Sequence, residues 1–165
     1  MAGDTLVLGI ETSCDETGAA IVADGTRILS NVVASSEEFH RRFGGIVPEI
    51  ASRKQVEVIG AVARQALDEA GVGFGDLAAV AVTYAPGLVG SLVVGVCFAK
   101  AIAFARVLPL VAVHHVVAHI YAHFLIEPPP FPFLALVVSG GHSDLIAVRG
   151  HGEKALPWLK RWLGR

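Results

Sequence analysis

The chain has 165 residues, 53% of them hydrophobic, and a formal net charge of −2 at pH 7. That length supports one well-buried domain, and the near-neutral charge excludes a global electrostatic pull toward nucleic acid, so any such contact needs a local patch or a partner. Cys14 and Cys97 stand apart with no Cys-x-x-Cys spacing, which favours free thiols in a reducing cytoplasm over a disulfide scaffold.

In chain order, Leu6–Glu11 and Gly18–Ala23 read as paired apolar strands around a polar turn, and Asp24-Gly25 is a hairpin signal leading into a third strand, Arg27–Val33. Residues 35–45 read as a polar loop containing His40-Arg41-Arg42. Pro48 opens a helix that runs to about Ala70, with Gly71 just past its end and Ala51, Val58, Val62 and Ala66 recurring on one face. Leu77–Thr83 is almost wholly apolar, as expected of a central parallel strand covered on both faces. A helix over Gly90–Arg106, a strand over Leu110–Val113 and a helix carrying His115, His119 and His123 follow. Glu127-Pro128-Pro129-Pro130 closes that helix and is the one convincing linker.

No charge falls between Asp76 and Lys100, a run long enough to cross a bilayer, but Ala85-Pro86-Gly87 breaks it into a strand and a helix. The next uncharged run, Val107 to Ile126, carries Pro109 and histidines, so no membrane span is expected. No signal peptide is expected either, since the sequence opens on a strand. Three strands, helix, strand, helix, strand is a mixed α/β order with an antiparallel start. It is the order of ribonuclease-H-like domains, the unit duplicated in actin-like and sugar-kinase ATPases, though the order alone is shared with other α/β folds.

Two strand-turn-strand cassettes bracket the chain, Leu6–Val22 and Phe133–Val148. Their turns combine Ser or Thr, Gly and acidic residues, where backbone N–H groups can converge on a phosphate. In the first turn, Asp15 and Glu16 are adjacent carboxylates that can hold a metal, orient water or accept a proton; as simple turn residues they would be solvated. In the second, Val138-Ser139-Gly140-Gly141-His142 permits close backbone approach to a ligand, or serves only as a hairpin turn. Pro86-Gly87-Leu88-Val89-Gly90-Ser91 precedes a helix and suits either an anion or a tight strand-to-helix turn. Arg41, Arg42, Arg53 and Lys54 fit a solvated face better than a phosphate-backbone contact.

His115 and His119 are four apart on a helix, hence on one face, and both can reach one ion; packing or capping is the equal alternative. A third donor would come from His123 or from outside the chain. A zinc protease would need glutamate after the first histidine, and Val116 stands there.

Taken together, Leu8–Thr17, Gly44–Arg53, Pro86–Leu92, His115-x-x-x-His119 and Val138–His142 resemble the tRNA N6-adenosine threonylcarbamoyltransferases, long labelled O-sialoglycoprotein endopeptidases or glycoproteases. The resemblance runs over about residues 6–150. It implies transfer of threonylcarbamoyl from threonylcarbamoyl-AMP to N6 of the adenosine following the anticodon in tRNA. It implies His115 and His119 as ligands of iron or zinc, Asp15 and Glu16 as a catalytic acidic pair that positions the adenine amine or accepts its proton, and Val138, Ser139, Gly140, Gly141 and His142 as the substrate-binding turn. It also implies a cytoplasmic enzyme working with a paralogous scaffold subunit and a P-loop ATPase. The family usually has Gly-Pro-Gly at Ala85-Pro86-Gly87 and often histidine at Gln55.

Family members are about twice as long, as two lobes demand. The expected organisation is a first ribonuclease-H-like lobe over 1–126, a linker over 127–132, the first hairpin of a second, truncated lobe over 133–150, and an atypical basic, Trp-rich tail over 151–165. The third metal ligand then falls outside the chain, and the isolated chain is expected to be inactive or partner-dependent; the exposed second cassette leaves sheet edges and apolar surface open to a partner, a homodimer with a second copy of the chain being one such case. A non-catalytic binding lobe is the alternative, and a metalloprotease comes third.

Overall fold

The computed structural model describes residues 3–36, 44–139, 142–152 and 158–163. The chain divides into two compact units, Met1–His115 and Val116–Arg165.

In the first unit, β1 (Leu6–Glu11), β2 (Glu16–Ala23) and β3 (Arg27–Ser35) are followed by α1 (Pro48–Ala70), β4 (Leu77–Ala85), α2 (Val89–Arg106) and β5 (Leu110–His114). The sheet order is β3-β2-β1-β4-β5. β1, β2 and β3 run antiparallel in sequence, whereas β4 lies parallel to both β1 and β5. Asp24 and Gly25 both adopt positive φ, 53° and 76°, which turns β2 back on β3 with the twist that strand pairing requires.

Leu6, Leu8 and Ile10 of β1 alternate with half-buried Val7, Gly9 and Glu11, the period-2 signature of one packed face. Both helices lie against the sheet and against each other. The packed face joins Leu8, Ile21, Val80 and Val82 to Ile59, Val62, Ala66 and Leu67 of α1. Each large side chain buried there contributes about 1.5–3 kcal/mol. β4 is the central parallel strand expected, between β1 and β5; Val80 and Val82 are buried on its helix-facing side, and on its other side Thr83 is buried and Ala79 and Ala81 are half-buried.

α1 starts at Pro48 and stops at Gly71, whose φ of 69° lets its N–H reach the Asp68 carbonyl while Val72 N–H reaches Leu67. Its buried stripe includes Ala51 and Gln55 as well as the aliphatic residues. α2 buries Ser91, Gly95, Ala99 and Ala103, one residue per turn and all small, so its backbone approaches the sheet closely. By length and composition α2 is apolar enough to cross a membrane; in this fold that stripe packs on the sheet.

In the second unit, α3 (His115–Ala122, beginning on the last residue of the first unit) is followed by a 3-10 turn (His123–Leu125) and β6 (Phe133–Val138), β7 (His142–Val148) and β8 (Trp158–Leu163). The strands form an antiparallel sheet in the order β6-β7-β8. Val116 and Ile120 of α3 pack with Ile146 and Val148, and Phe133, Ala135 and Val137 join them. Leu134, Leu136 and Val138, on the other face of β6, are exposed. The tail, for which the sequence offered no structural expectation, supplies β8. The predicted loop residues His40, Arg41 and Arg42, and Gly140 and Gly141 of the second turn, lie outside the described residues.

Candidate functional site

Three parallel strands, β1, β4 and β5, end side by side in the first unit, and the carboxyl ends of such strands are where α/β sheets place their ligands. Glu11 ends β1, Thr83 lies near the end of β4, and His115 follows β5. Their side chains meet. Thr83 Oγ1 donates to Glu11 Oε2 at 2.6 Å, and His115 Nδ1 lies 3.2 Å from the same oxygen. Ser13 N–H donates to the other carboxylate oxygen, and Ser13 Oγ lies 3.1 Å from His115 Nδ1.

Burial acts to raise the Glu11 pKa, but hydrogen bonds from His115, the Ser13 and Thr83 hydroxyls and the Ser13 N–H outweigh it and hold the carboxyl at about 2. Glu11 is therefore a fixed anion at neutral pH. Serine and carboxylate approach one and the same imidazole nitrogen here. A hydrolase triad needs them on opposite nitrogens, so Ser13 is not arranged as an activated nucleophile.

The turn between β1 and β2 is fastened at four points. Thr12 Oγ1 donates to the Ser91 carbonyl of α2 at 2.8 Å, and Leu88 N–H donates to the Ser13 carbonyl at 2.7 Å. Gln55 Nε2, on the buried face of α1, donates to the carbonyls of Cys14 and Glu16 at 3.1 and 2.9 Å. Ser36 Oγ donates to the Asp15 carbonyl at 2.6 Å. Gly87 and Gly95 make this possible: a Cβ on Gly87 would come within 2.9 Å of Ser13 Cα, and one on Gly95 would press on the Thr12 side chain. The Gly-rich segment Pro86–Ser91 thus has a tight-packing role against the first turn.

Asp15 is half-buried and Glu16 exposed, both on this fastened turn. Cys14, beside them, has its thiol pushed up by partial burial and then by Asp15, which keeps it protonated at neutral pH. His119 is exposed four residues further along α3, and His123 stands past the helix end in the 3-10 turn, also exposed. Among the described residues no three His, Cys, Asp or Glu side chains are grouped to hold an ion. Val138 ends β6 with its side chain exposed, Ser139 is exposed beside it, and His142 opens β7.

Sequence reasoning missed Glu11, Ser13, Thr83 and Gln55 as parts of one constellation. A carboxylate closing an apolar strand was the available signal for Glu11. Nothing local points to Thr83, 72 residues away.

The sheet order and the crossing helices are those of the ribonuclease-H-like fold of actin-like ATPases. YeaZ from Pseudomonas aeruginosa superposes with a TM-score of 0.57 at 16% identity, over 97% of this chain and 69% of that one. The Aquifex aeolicus PPX-GPPA enzyme superposes with a TM-score of 0.51 at 14% identity, over 98% and 54%. The class is therefore an actin-like lobe with a polar cluster at its strand ends.

The family model for tRNA N6-adenosine threonylcarbamoyltransferase matches residues 27–156. The enzyme of that name from Halalkalibacterium halodurans is 62% identical over 148 residues, 90% of this chain and 43% of the relative. That from Geobacillus kaustophilus is 60% identical over 156 residues, 94% and 46%. The chain belongs to the tRNA N6-adenosine threonylcarbamoyltransferase family, and it spans less than half the length of these relatives.

Proposed function

We propose that this chain carries the first lobe of an enzyme that transfers threonylcarbamoyl from threonylcarbamoyl-AMP to N6 of the adenosine following the anticodon in tRNA. The family match carries this reading, and the Glu11–Ser13–Thr83–His115 cluster at the strand ends is its local support. In the reaction the N6 amine attacks the carbamoyl carbon, the bond from that carbon to the adenylate phosphate breaks, AMP departs and N6 loses a proton. Asp15 and Glu16, on the fastened turn, orient the amine and accept that proton. Val138, Ser139, Gly140, Gly141 and His142 bind the adenylate, with glycines allowing its close approach.

His115 and His119 fit a divalent ion, iron or zinc, because two imidazoles four apart on a helix are a suitable donor pair and His115 is backed by a carboxylate. The ion, when bound, supplies Lewis acidity to the transferred group or its phosphate. Its remaining protein ligand comes from outside this chain. The enzyme works in the cytoplasm with a paralogous scaffold subunit and a P-loop ATPase. As an isolated polypeptide the 165-residue chain is inactive, or active only with a partner or as a homodimer.

The test is single-turnover transfer of labelled threonylcarbamoyl to unmodified tRNA, with the Geobacillus kaustophilus relative as benchmark. The 165-residue chain alone, at concentrations where it is monomeric, should show no transfer. A rate matching the benchmark would overturn the need for a second lobe. The alternative reading is a non-catalytic binding lobe of the modification complex. Under it, complex formation survives Asp15→Asn and His115→Ala, and no mixture of subunits regains transfer through this chain.

A further inference from the structure

The Glu11 carboxylate is held from three directions. Ser13 N–H takes one oxygen, and Thr83 Oγ1 at 2.6 Å and His115 Nδ1 at 3.2 Å take the other. Thr83 is buried on β4, so its hydroxyl has a fixed origin. The Ser13 backbone is itself tied to Leu88 N–H at the start of α2. Two of these holds, from Ser13 and Thr83, do not involve the imidazole, so the ring meets a carboxylate already oriented from elsewhere.

We propose that Glu11 is the positioning residue for His115: it accepts the Nδ1–H of the ring, selects that tautomer and presents Nε2 for coordination. This rests on the reading of His115 as a metal ligand. The physical reason is that a ligating imidazole needs its coordinating nitrogen deprotonated, and a carboxylate on the other nitrogen both fixes the ring and makes it a better donor. Ser13 Oγ, 3.1 Å from the same nitrogen, borders the contact, and Thr83 sets the carboxylate's orientation. The coupling reaches from the end of β1 to the first residue of α3, 104 residues apart in sequence.

The experiment uses the whole 165-residue chain and two readouts. In the metal-free protein, long-range imidazole 15N–1H spectra should show His115 protonated on Nδ1, with the distribution moving toward the Nε2–H tautomer in Glu11→Ala. Glu11→Gln, which is isosteric and keeps the fold, should give an intermediate distribution, and Thr83→Val a smaller move in the same direction. Zn(II) affinity is then measured by competition with a chromophoric chelator. Glu11→Ala should weaken it by about 10–100-fold, with His115→Ala as the reference for loss of a ligand.

An Nε2–H tautomer in the unsubstituted chain, or one unchanged by both Glu11 substitutions, overturns the proposal. So does Zn(II) affinity that falls in His115→Ala but holds in Glu11→Ala. Zn(II) affinity unchanged in His115→Ala, with the tautomer moving as expected, sinks instead the reading of His115 as a ligand. The two failures are thereby told apart.

Discussion

Replacing Gly87 by alanine adds one methyl group where the turn into α2 lies against the turn after β1. Its Cβ would sit 2.8 Å from Ser13 Cβ and 2.9 Å from Ser13 Cα, and closer still to the Ser13 carbonyl oxygen. Ordinary contacts begin near 3.4 Å, and two of these atoms are backbone, so the turns must part by about half an ångström or more. Overpacking of this kind costs about 1–3 kcal/mol. Separation also breaks the 2.7 Å bond from Leu88 N–H to Ser13, a further ~0.5–1.5 kcal/mol. Gly87→Ala should therefore lose about 2–4 kcal/mol, lowering Tm by roughly 5–15 °C. Gly60→Ala is the matched control. Gly60 is exposed inside α1, with nothing within 4 Å of an added Cβ, so the same methyl should stabilise by about 0.5–1 kcal/mol. Urea unfolding followed by far-UV circular dichroism suits the comparison, because both tryptophans, Trp158 and Trp162, lie outside the first unit. A Gly87→Ala protein within ~0.5 kcal/mol of the parent, or a Gly60→Ala protein equally destabilised, would refute the argument that close approach of the two turns demands glycine.

Thr12 and Gly95 should show coupled energetics. Gly95→Ala alone is destabilising, and adding Thr12→Ala should recover about 1–2 kcal/mol of the summed loss, because the clash is with the Thr12 side chain; additive values would contradict this. For Glu11, the folded carboxyl near 2 lies below its ordinary 4.5, so its contribution is full above pH ~4.5 and is lost as pH falls toward 2. The shift sets a ceiling of about 3.4 kcal/mol, and a side chain 40% exposed retains roughly 1–2 kcal/mol of it. Chelator-treated Glu11→Gln should thus lose less stability than the parent between pH 6 and pH 3 in urea titrations, and parallel curves would count against the hydrogen-bonded anion. Gln55→Leu removes both donations to the Cys14 and Glu16 carbonyls and should cost about 1–3 kcal/mol, read as a lower urea midpoint; an unchanged midpoint would mean the first turn holds without α1.

The local code was strong where a backbone event has a residue that enforces it. Pro48 and Gly71 bound α1 as the sequence predicted, and Asp24-Gly25 makes the turn between β2 and β3. β1 read only as an apolar strand, Leu-Val-Leu-Gly-Ile being apolar on both faces, and the structure decided that Leu6, Leu8 and Ile10 are its buried side. His115 and His119 were visible as a pair because helical spacing needs no partner to be legible. What the sequence could not reveal is which distant groups converge on one atom. Thr83 and His115 reach Glu11 across 72 and 104 residues, and only the side-by-side ending of three parallel strands brings them there. Gly87 likewise read as either an anion-binding or a turn glycine, and Gly95 carried no local signal; that each leaves room for the turn after β1 was decided by how closely α2 lies against it. Local chemistry therefore settled the elements and the family, while the tertiary packing settled which side chains act together, because a hydrogen bond depends on proximity in space that no short window of sequence records.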